Sequence, residues 1–436
     1  MYELAKKALD IAEKAGAEEA EIYYVSNHST SVNFKKDALE SAKDRFSEGI
    51  GVRAIVNGAV GFASTNSAKD LENTINIAVA EARVRENDPD WVALPSNGKY
   101  PSVAGIFDKR IEALKLEECI GYAMELVDGT KEIPGTMPTS GAFTRGKSRQ
   151  LILNTNGVEI EEESTAVSGF VDVITVNGET STAYDFDVSR SLDIDFQALG
   201  KHASELALSS GNGIAIEAQK TNVVFHPFAF SDILEAAFAP SLDADNVQKG
   251  RSGLIGKLGE ELAAPELSIY DDGLFDAGIE TSASDDEGVP SQRTTVLEKG
   301  VLKNYLYDSY TAGKEGVKST GNAARGSYTS PPAVGLRNFI IDYPQTDLIA
   351  DTDSGVFVNT VIGAHTANSI SGDFSVEARN AFTIKDGAFD KPIKSLMISG
   401  NAFDLLKNIT GAGTDVRKVG GMITPSIRVS DMSVIG

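Results

Sequence analysis

The chain has 436 residues and a formal net charge of −23, from 63 Asp and Glu against 40 Lys and Arg. That balance works against binding nucleic acid or an anionic membrane, since both need clustered basic residues to neutralise phosphate. A hydrophobic content of 41% excludes a disordered chain, and the length points to two domains rather than one core.

Residues 1–21 read as an amphipathic helix, with Leu4, Ala5, Ala8, Leu9 and Ala12 at helical spacing and Gly16 as the stop. The segment lacks the unbroken apolar stretch of a secretory signal. No run approaches the ~20 apolar residues of a membrane span, so a soluble, cytoplasmic protein is expected. From Glu19 to Ala63 the pattern changes to five short strands, at 21–26, 30–36, 38–46, 49–56 and 59–64. Asn57-Gly58 joins the last two, because a type I′ hairpin needs positive φ at both central residues. Ser67 is placed to cap a helix running to about Glu86, with Leu71, Ile75, Ile77 and Ala78 inward.

The Pro-, Asn- and Gly-rich stretch 87–105 reads as a linker, a sub-boundary within the first half. A second helix follows, carrying Ile111, Leu114, Cys119, Ile120, Ala123, Leu126 and Val127 along one face. Cys119 is the sole cysteine, which excludes a disulfide framework; with no histidine near it in sequence it reads as core, not nucleophile. Strands are expected at 141–147, 149–154, 158–165 and 167–176, with Asn156-Gly157 and Asn177-Gly178 as turns. A helix over 193–209 then carries Phe196, Leu199, Leu206 and Leu208.

Small polar residues at 209–213 cannot anchor a core, so domains are expected at 1–210 and 214–436. Beyond that boundary a strand is broken by Pro227, a helical run covers 230–239, and the rest is mostly strand and turn. Lys299-Gly300 and Asp386-Gly387 mark hairpins, and Val296, Val301, Leu302 and Leu306 pack inward. The fold class is therefore α+β: an N-terminal α+β domain, then a predominantly antiparallel β domain with few helices.

Chemistry-bearing residues are sparse. The four histidines, His28, His202, His226 and His365, are too far apart in sequence for any pair to share adjacent helical turns, and each reads as a surface or hydrogen-bonded residue. Asp285, Asp286 and Glu287 could do general acid–base work, but adjacent residues rarely converge on one atom, and a solvated turn is the favoured reading. The loop 319–326 has Gly321 and Gly326 without the Lys-Ser/Thr ending of a phosphate loop.

Several blocks carry a resemblance. DDEGVPSQRTTVLEKGVLKNYLYDSYTAGKEGVKSTGNAARG at 285–326, GDFSVEARNAFTIKDG at 372–387 and SLMISGNAFDLLKNITGAGTD at 395–415 resemble the C-terminal domain of the TldD/PmbA family. GIGVRAIVNGAVGFASTN at 49–66 resembles its N-terminal signature. The family, whose PmbA branch is also called modulator of DNA gyrase, comprises two paralogous subunits, TldD and TldE (PmbA). Together they imply a zinc-dependent peptidase acting on small or unfolded peptides.

TldD-type members carry H-E-x-x-x-H on a helix, with a cysteine near the C-terminus as a further ligand. Laid on this chain, Glu235 stands at the first histidine, Ala236 at the catalytic glutamate, Pro240 at the second histidine and Arg417 at the cysteine. Proline has no lone pair for zinc, alanine cannot accept a proton, and arginine brings a fixed cation. Asp243 and Asp245 match acidic positions after the motif. With Glu235 they could hold a hard cation, although a solvated acidic helix end is the favoured reading. Arg325 is a candidate for a peptide carboxylate.

The resemblance thus implies a TldE/PmbA-like, non-catalytic subunit with no catalytic, cofactor or metal residue of its own. Zinc is expected in a TldD-like partner within a heterodimer or larger hetero-oligomer, and the substrate is peptide. Nucleic acid and membrane are not expected as partners, and self-association of the chain alone is left open. The alternative is a hydrolase in its own right, built on the 285–287 carboxylates.

Overall fold

The first sheet is a six-stranded antiparallel ribbon in a computed structural model that describes residues 1–176 and 178–436. Its strands are β1 (Glu19–Lys35), β2 (Ala38–Val56), β3 (Ala59–Thr65), β4 (Thr136–Asn154), β5 (Glu159–Thr175) and β6 (Thr182–Ser189), in the order β3-β2-β1-β4-β5-β6. The short strands expected from the sequence are fused: β1 pairs with β2 from Glu19 to Lys35 and with β4 over nearly the same length. Polar residues at 26–29 look like a break, yet a strand flanked on both sides has every backbone group satisfied whatever its side chains are. Asn57 and Gly58 both have positive φ, 51° and 73°, as the hairpin requires. Strand β6 was not anticipated, and Asn177 of the expected turn lies outside the described residues.

Strand alternation sets the layers. Ile22, Tyr24, Val32 and Phe34 of β1 all point to one face. Helices α1 (Tyr2–Lys14) and α2 (Leu71–Val84) cover one end of that face, burying Ala5, Ala8, Ala12, Ile75 and Val79 with Ile22 and Tyr24. The other end is covered by α3 (Lys109–Ala113), α4 (Leu116–Lys131) and α5 (Phe196–Ser209), around Val32, Phe34, Phe143 and Phe196. The single helix expected after residue 105 is two helices, broken at Leu114 and Lys115. Cys119 is fully buried. Ile77 and Leu208, expected inward, are 51% and 49% exposed, one residue off the stripes that their helices bury.

The second half holds a six-stranded and a seven-stranded sheet around one large core. Most pairings are antiparallel; β7 (Gln219–Phe225) pairs in parallel with Ser354–Ile362, and Asn338–Asp342 with Met422–Thr424. The turns at Lys299-Gly300 and Asp386-Gly387 have positive φ throughout. No helix among the described residues is long and apolar enough to cross a membrane.

The opposite face of the first sheet meets this β-rich lobe through buried charge. Arg53 donates from Nη2 to Glu21 and from Nη1 to Glu287, each at 2.7 Å, with all three side chains at least 96% buried. Arg325 also pairs with Glu21. Asp286 accepts from Gln150 of β4 and from the Arg325 backbone, both at 2.7 Å. Asp285 is fully buried, taking three backbone N–H bonds from Glu287, Val289 and Ala323. The solvated turn expected at 285–287 is therefore a buried joint, because its cationic partners arrive from the distant N-terminal half. Gly49 and Gly51 make room for the contact: a Cβ on either would lie within 2.7 Å of Tyr328. The stretch 87–105 is docked too, with Leu94 buried and the Trp91 indole donating to Glu19.

Removing one partner of a buried ion pair strands the others, at a cost of about 3–5 kcal/mol. Arg53→Ala should lower unfolding stability in urea by about that amount; a loss below about 1 kcal/mol would show that the joint does not hold the lobes.

Candidate functional site

Helix α6 (Pro227–Ala237) carries Glu235 and Ala236, two of the positions at which the resemblance lays the family motif. It begins earlier than expected, because Pro227 occupies the first turn, where a missing N–H costs nothing. His226 caps it, its Nδ1 accepting from Phe228 N–H at 3.3 Å. The buried face of α6 carries Phe230, Ile233, Leu234 and Ala237. The helix stops after Ala237 and a 3₁₀ turn, Ala239–Leu242, follows. Pro240 explains the stop: it has no N–H to offer the Ala236 carbonyl, and its ring crowds that oxygen. Glu235 and Ala236 are therefore on the helix, while Pro240 is beyond its end.

The outer face of α6 lines a groove of three neighbouring chambers that share lining residues. One of about 430 Å³ is walled by Glu235, Pro240, Asp243, Glu280, Arg337 and Met422. A second, about 700 Å³, shares Glu235 and Pro240 with it and adds Asp232, Ala236 and His365. A third, about 480 Å³, shares Asp232 with the second and reaches Asp172 and Tyr184 of the first sheet and Phe228 at the helix start. The groove thus runs the length of the helix and ends between the two lobes.

Its electrostatics are acidic. Partial desolvation by the groove walls, with Glu235 nearby, pushes the carboxyl of the surface residue Asp232 up to about 6. Asp243 is likewise raised to about 6, chiefly by burial, although it caps the short helix Ala244–Gln248 by accepting from Asp245 N–H at 2.8 Å. Asp245 instead faces Lys249 and Arg251, at 2.8 and 3.3 Å. The structure therefore brings Glu235, Ala236, Pro240 and Asp243 to one groove and turns Asp245 away into ion pairs.

Two other residues singled out in the sequence are committed elsewhere. Arg417 bonds Asp185 at 3.2 Å and the Phe186 carbonyl at 2.8 Å, and stacks 4.6 Å from the Phe228 ring. It sits by the start of α6, away from Glu235. The Arg325 guanidinium lies within the joint between the lobes, bonded to Glu21 and to the carbonyls of Asp286 and Ser330. Sequence reasoning missed Asp232 and Tyr184. Asp232 stands three residues before Glu235 on the same helical stripe, a signal that was available; Tyr184 comes from the unanticipated β6.

A zinc centre of the expected kind does not fit this donor set. The motif positions supply one carboxylate and no imidazole, whereas zinc in a peptidase helix is held by imidazole nitrogen beside a carboxylate base. Among the described residues no group of three or more His, Cys, Asp or Glu side chains is arranged to hold a metal ion. His226 is oriented as a helix cap, and burial together with Arg417 lowers its pKa to about 4.

A histidine pKa of about 4 when folded and about 6.5 when unfolded means that the unfolded chain takes up the proton first. The stability from neutral His226 is present above pH 6.5 and is lost as pH falls toward 4. Between pH 7 and 4.5 the wild-type chain should lose about 2 kcal/mol more urea stability than His226→Asn, which keeps a capping oxygen. Equal pH slopes would contradict this role.

Sequence models of three PmbA/TldA metallopeptidase regions match the chain: domain 1 at residues 20–82, the central domain at 109–210 and the C-terminal domain at 218–436. An uncharacterized protein of Methanocaldococcus jannaschii is 37% identical over 97% of both chains. A metalloprotease of Methanothermobacter thermautotrophicus is 26% identical over 94% of this chain and 90% of its own. The crystal structure of TldE from Thermococcus kodakarensis superposes with a TM-score of 0.94, covering 99% of this chain and 100% of that one at 23% identity, a likeness of fold. Three family regions spanning both lobes, and a relative 37% identical over nearly the whole chain, place the chain in the TldD/PmbA family of metallopeptidases.

Proposed function

We propose that this chain is the non-catalytic, TldE-like subunit of a two-subunit zinc peptidase that acts on small or unfolded peptides. One observation carries the reading: a groove runs along α6, but the positions where the resemblance lays the motif are Glu235, Ala236 and Pro240. A metallopeptidase needs a polarising ion and a base for the attacking water, and these side chains provide neither. In this reading a TldD-like subunit supplies the zinc and the hydrolytic groups. This chain completes the chamber and helps to hold the peptide. The shared fold with the Thermococcus TldE supports the assignment. The carboxylates at 285–287 offer no rival centre, since Asp285 and Glu287 are at most 1% exposed and are engaged in the joint between the lobes.

The test is to purify the chain and a TldD-like chain from the same organism, separately and mixed. Size-exclusion chromatography with light scattering should show a complex of the two, and the mixture should cleave unstructured peptides in a chelator-sensitive way while this chain alone does not. Failure of the two to associate, or chelator-insensitive cleavage by this chain alone, would overturn the proposal.

A further inference from the structure

We infer that the α6 groove selects peptide segments in which a positively charged group, an N-terminal ammonium or a Lys or Arg side chain, lies beside an aromatic or bulky aliphatic residue. The inference rests on the peptide-holding role proposed above and gives it a substrate class. Phe228, Asp232, Glu235 and Ala236 fall at i, i+4, i+7 and i+8 of α6, which is one helical stripe. That stripe orders the groove chemically: an aromatic chamber at the helix start and an acidic chamber along its middle.

The aromatic chamber has walls from both lobes. Tyr184 of β6 and Phe228 of α6 have ring centroids 6.2 Å apart, and Tyr184 is 36% exposed, leaving ring surface open to a ligand. At about 480 Å³ the chamber accommodates a large side chain, whose apolar surface is stabilised by leaving water.

The acidic chamber holds Asp232 and Glu235, three residues apart, where like charges destabilise a helix. Neither has a Lys or Arg within 4.0 Å among the described residues, in contrast to Asp245 on the next helix, which pairs with two. Of the cations lining these chambers, Arg337, in the one it shares with Glu235, donates to the Ser284 carbonyl at 3.4 Å. Arg379, which lines the aromatic chamber, pairs with Glu377 at 3.3 Å, and Arg417 pairs with Asp185 at 3.2 Å. A ligand cation placed between Asp232 and Glu235 relieves their repulsion, and an apolar neighbour on it enters the space beside the exposed ring of Tyr184.

The test uses three fluorescently labelled tetrapeptides with blocked ends: Gly-Lys-Phe-Gly, Gly-Glu-Phe-Gly and Gly-Lys-Ser-Gly. Anisotropy titrations are run on the full chain, alone and mixed with the TldD-like chain. The first peptide should bind at least about tenfold tighter than either of the others, and its advantage over the Glu peptide should shrink at high salt. The double variant Asp232→Asn, Glu235→Gln should lose about tenfold toward Gly-Lys-Phe-Gly while tolerating Gly-Glu-Phe-Gly at least as well. Tyr184→Ala should remove the preference for Phe over Ser. These positions are at the groove surface, and unchanged urea midpoints confirm that the variants fold. Equal affinity for the three peptides, no binding of any of them, or an unaltered Lys preference in the double variant would overturn the inference. If the mixture assembles and cleaves peptides without this preference, the inference fails and the subunit role stands. If the preference is present but no assembly forms, the subunit role fails.

Discussion

The hydrogen-bond ladder of α6 ends where Pro240 withholds an N–H from the Ala236 carbonyl, and the functional reading depends on that interruption. A metal helix must hold its ligands at fixed rotation on consecutive turns, so that two side chains and a base meet at one point. Here the last i→i−4 bond runs from Phe238 N–H to the Leu234 carbonyl, and a 3₁₀ turn follows. Residue 240 thus leaves the helical geometry that residues 235 and 236 obey. Even a histidine at 235 would stand alone. In the reading proposed above, what remains is a helix whose outer stripe, with Asp232 and Glu235, contacts a chain molecule rather than activating water.

The chamber at the start of α6 has its form only because the two lobes are held together. Tyr184 and Asp172 come from the first sheet, Phe228 and Asp232 from the β-rich lobe. The orientation between them is set by Glu21, Arg53, Glu287 and Arg325, a buried cluster in which each charge has an opposite partner. Buried ion pairs add little net stability compared with apolar packing, but they are intolerant of misplacement. A joint of this kind suits a protein whose cavity is formed between lobes.

The legible parts of the fold were those governed by local rules. Asn57-Gly58 and Lys299-Gly300 announce their turns because positive φ is costly for most residues, and the stripe of Ala5, Ala8 and Ala12 announces a helix. The illegible parts depended on distant neighbours. Ser26 to Ser29 resemble a turn, yet they lie mid-strand because β2 and β4 flank them. Pro227 resembles a strand breaker and is also a helix opener. The acidic run 285–287 resembles a solvated loop, since Arg53 lies 234 residues from Glu287 in sequence. Of the candidate site, Glu235, Ala236, Pro240 and Asp243 were singled out in the sequence, and they line adjoining chambers. The aromatic wall was not, since it requires β6 to be seen beside α6.

The most direct measurement is a zinc titration of the purified, metal-stripped chain by calorimetry. Binding no tighter than about micromolar, at the level of adventitious surface carboxylates, is the result expected of a subunit that leaves the metal to its partner. One equivalent bound at about nanomolar affinity, abolished by Glu235→Ala, would contradict it.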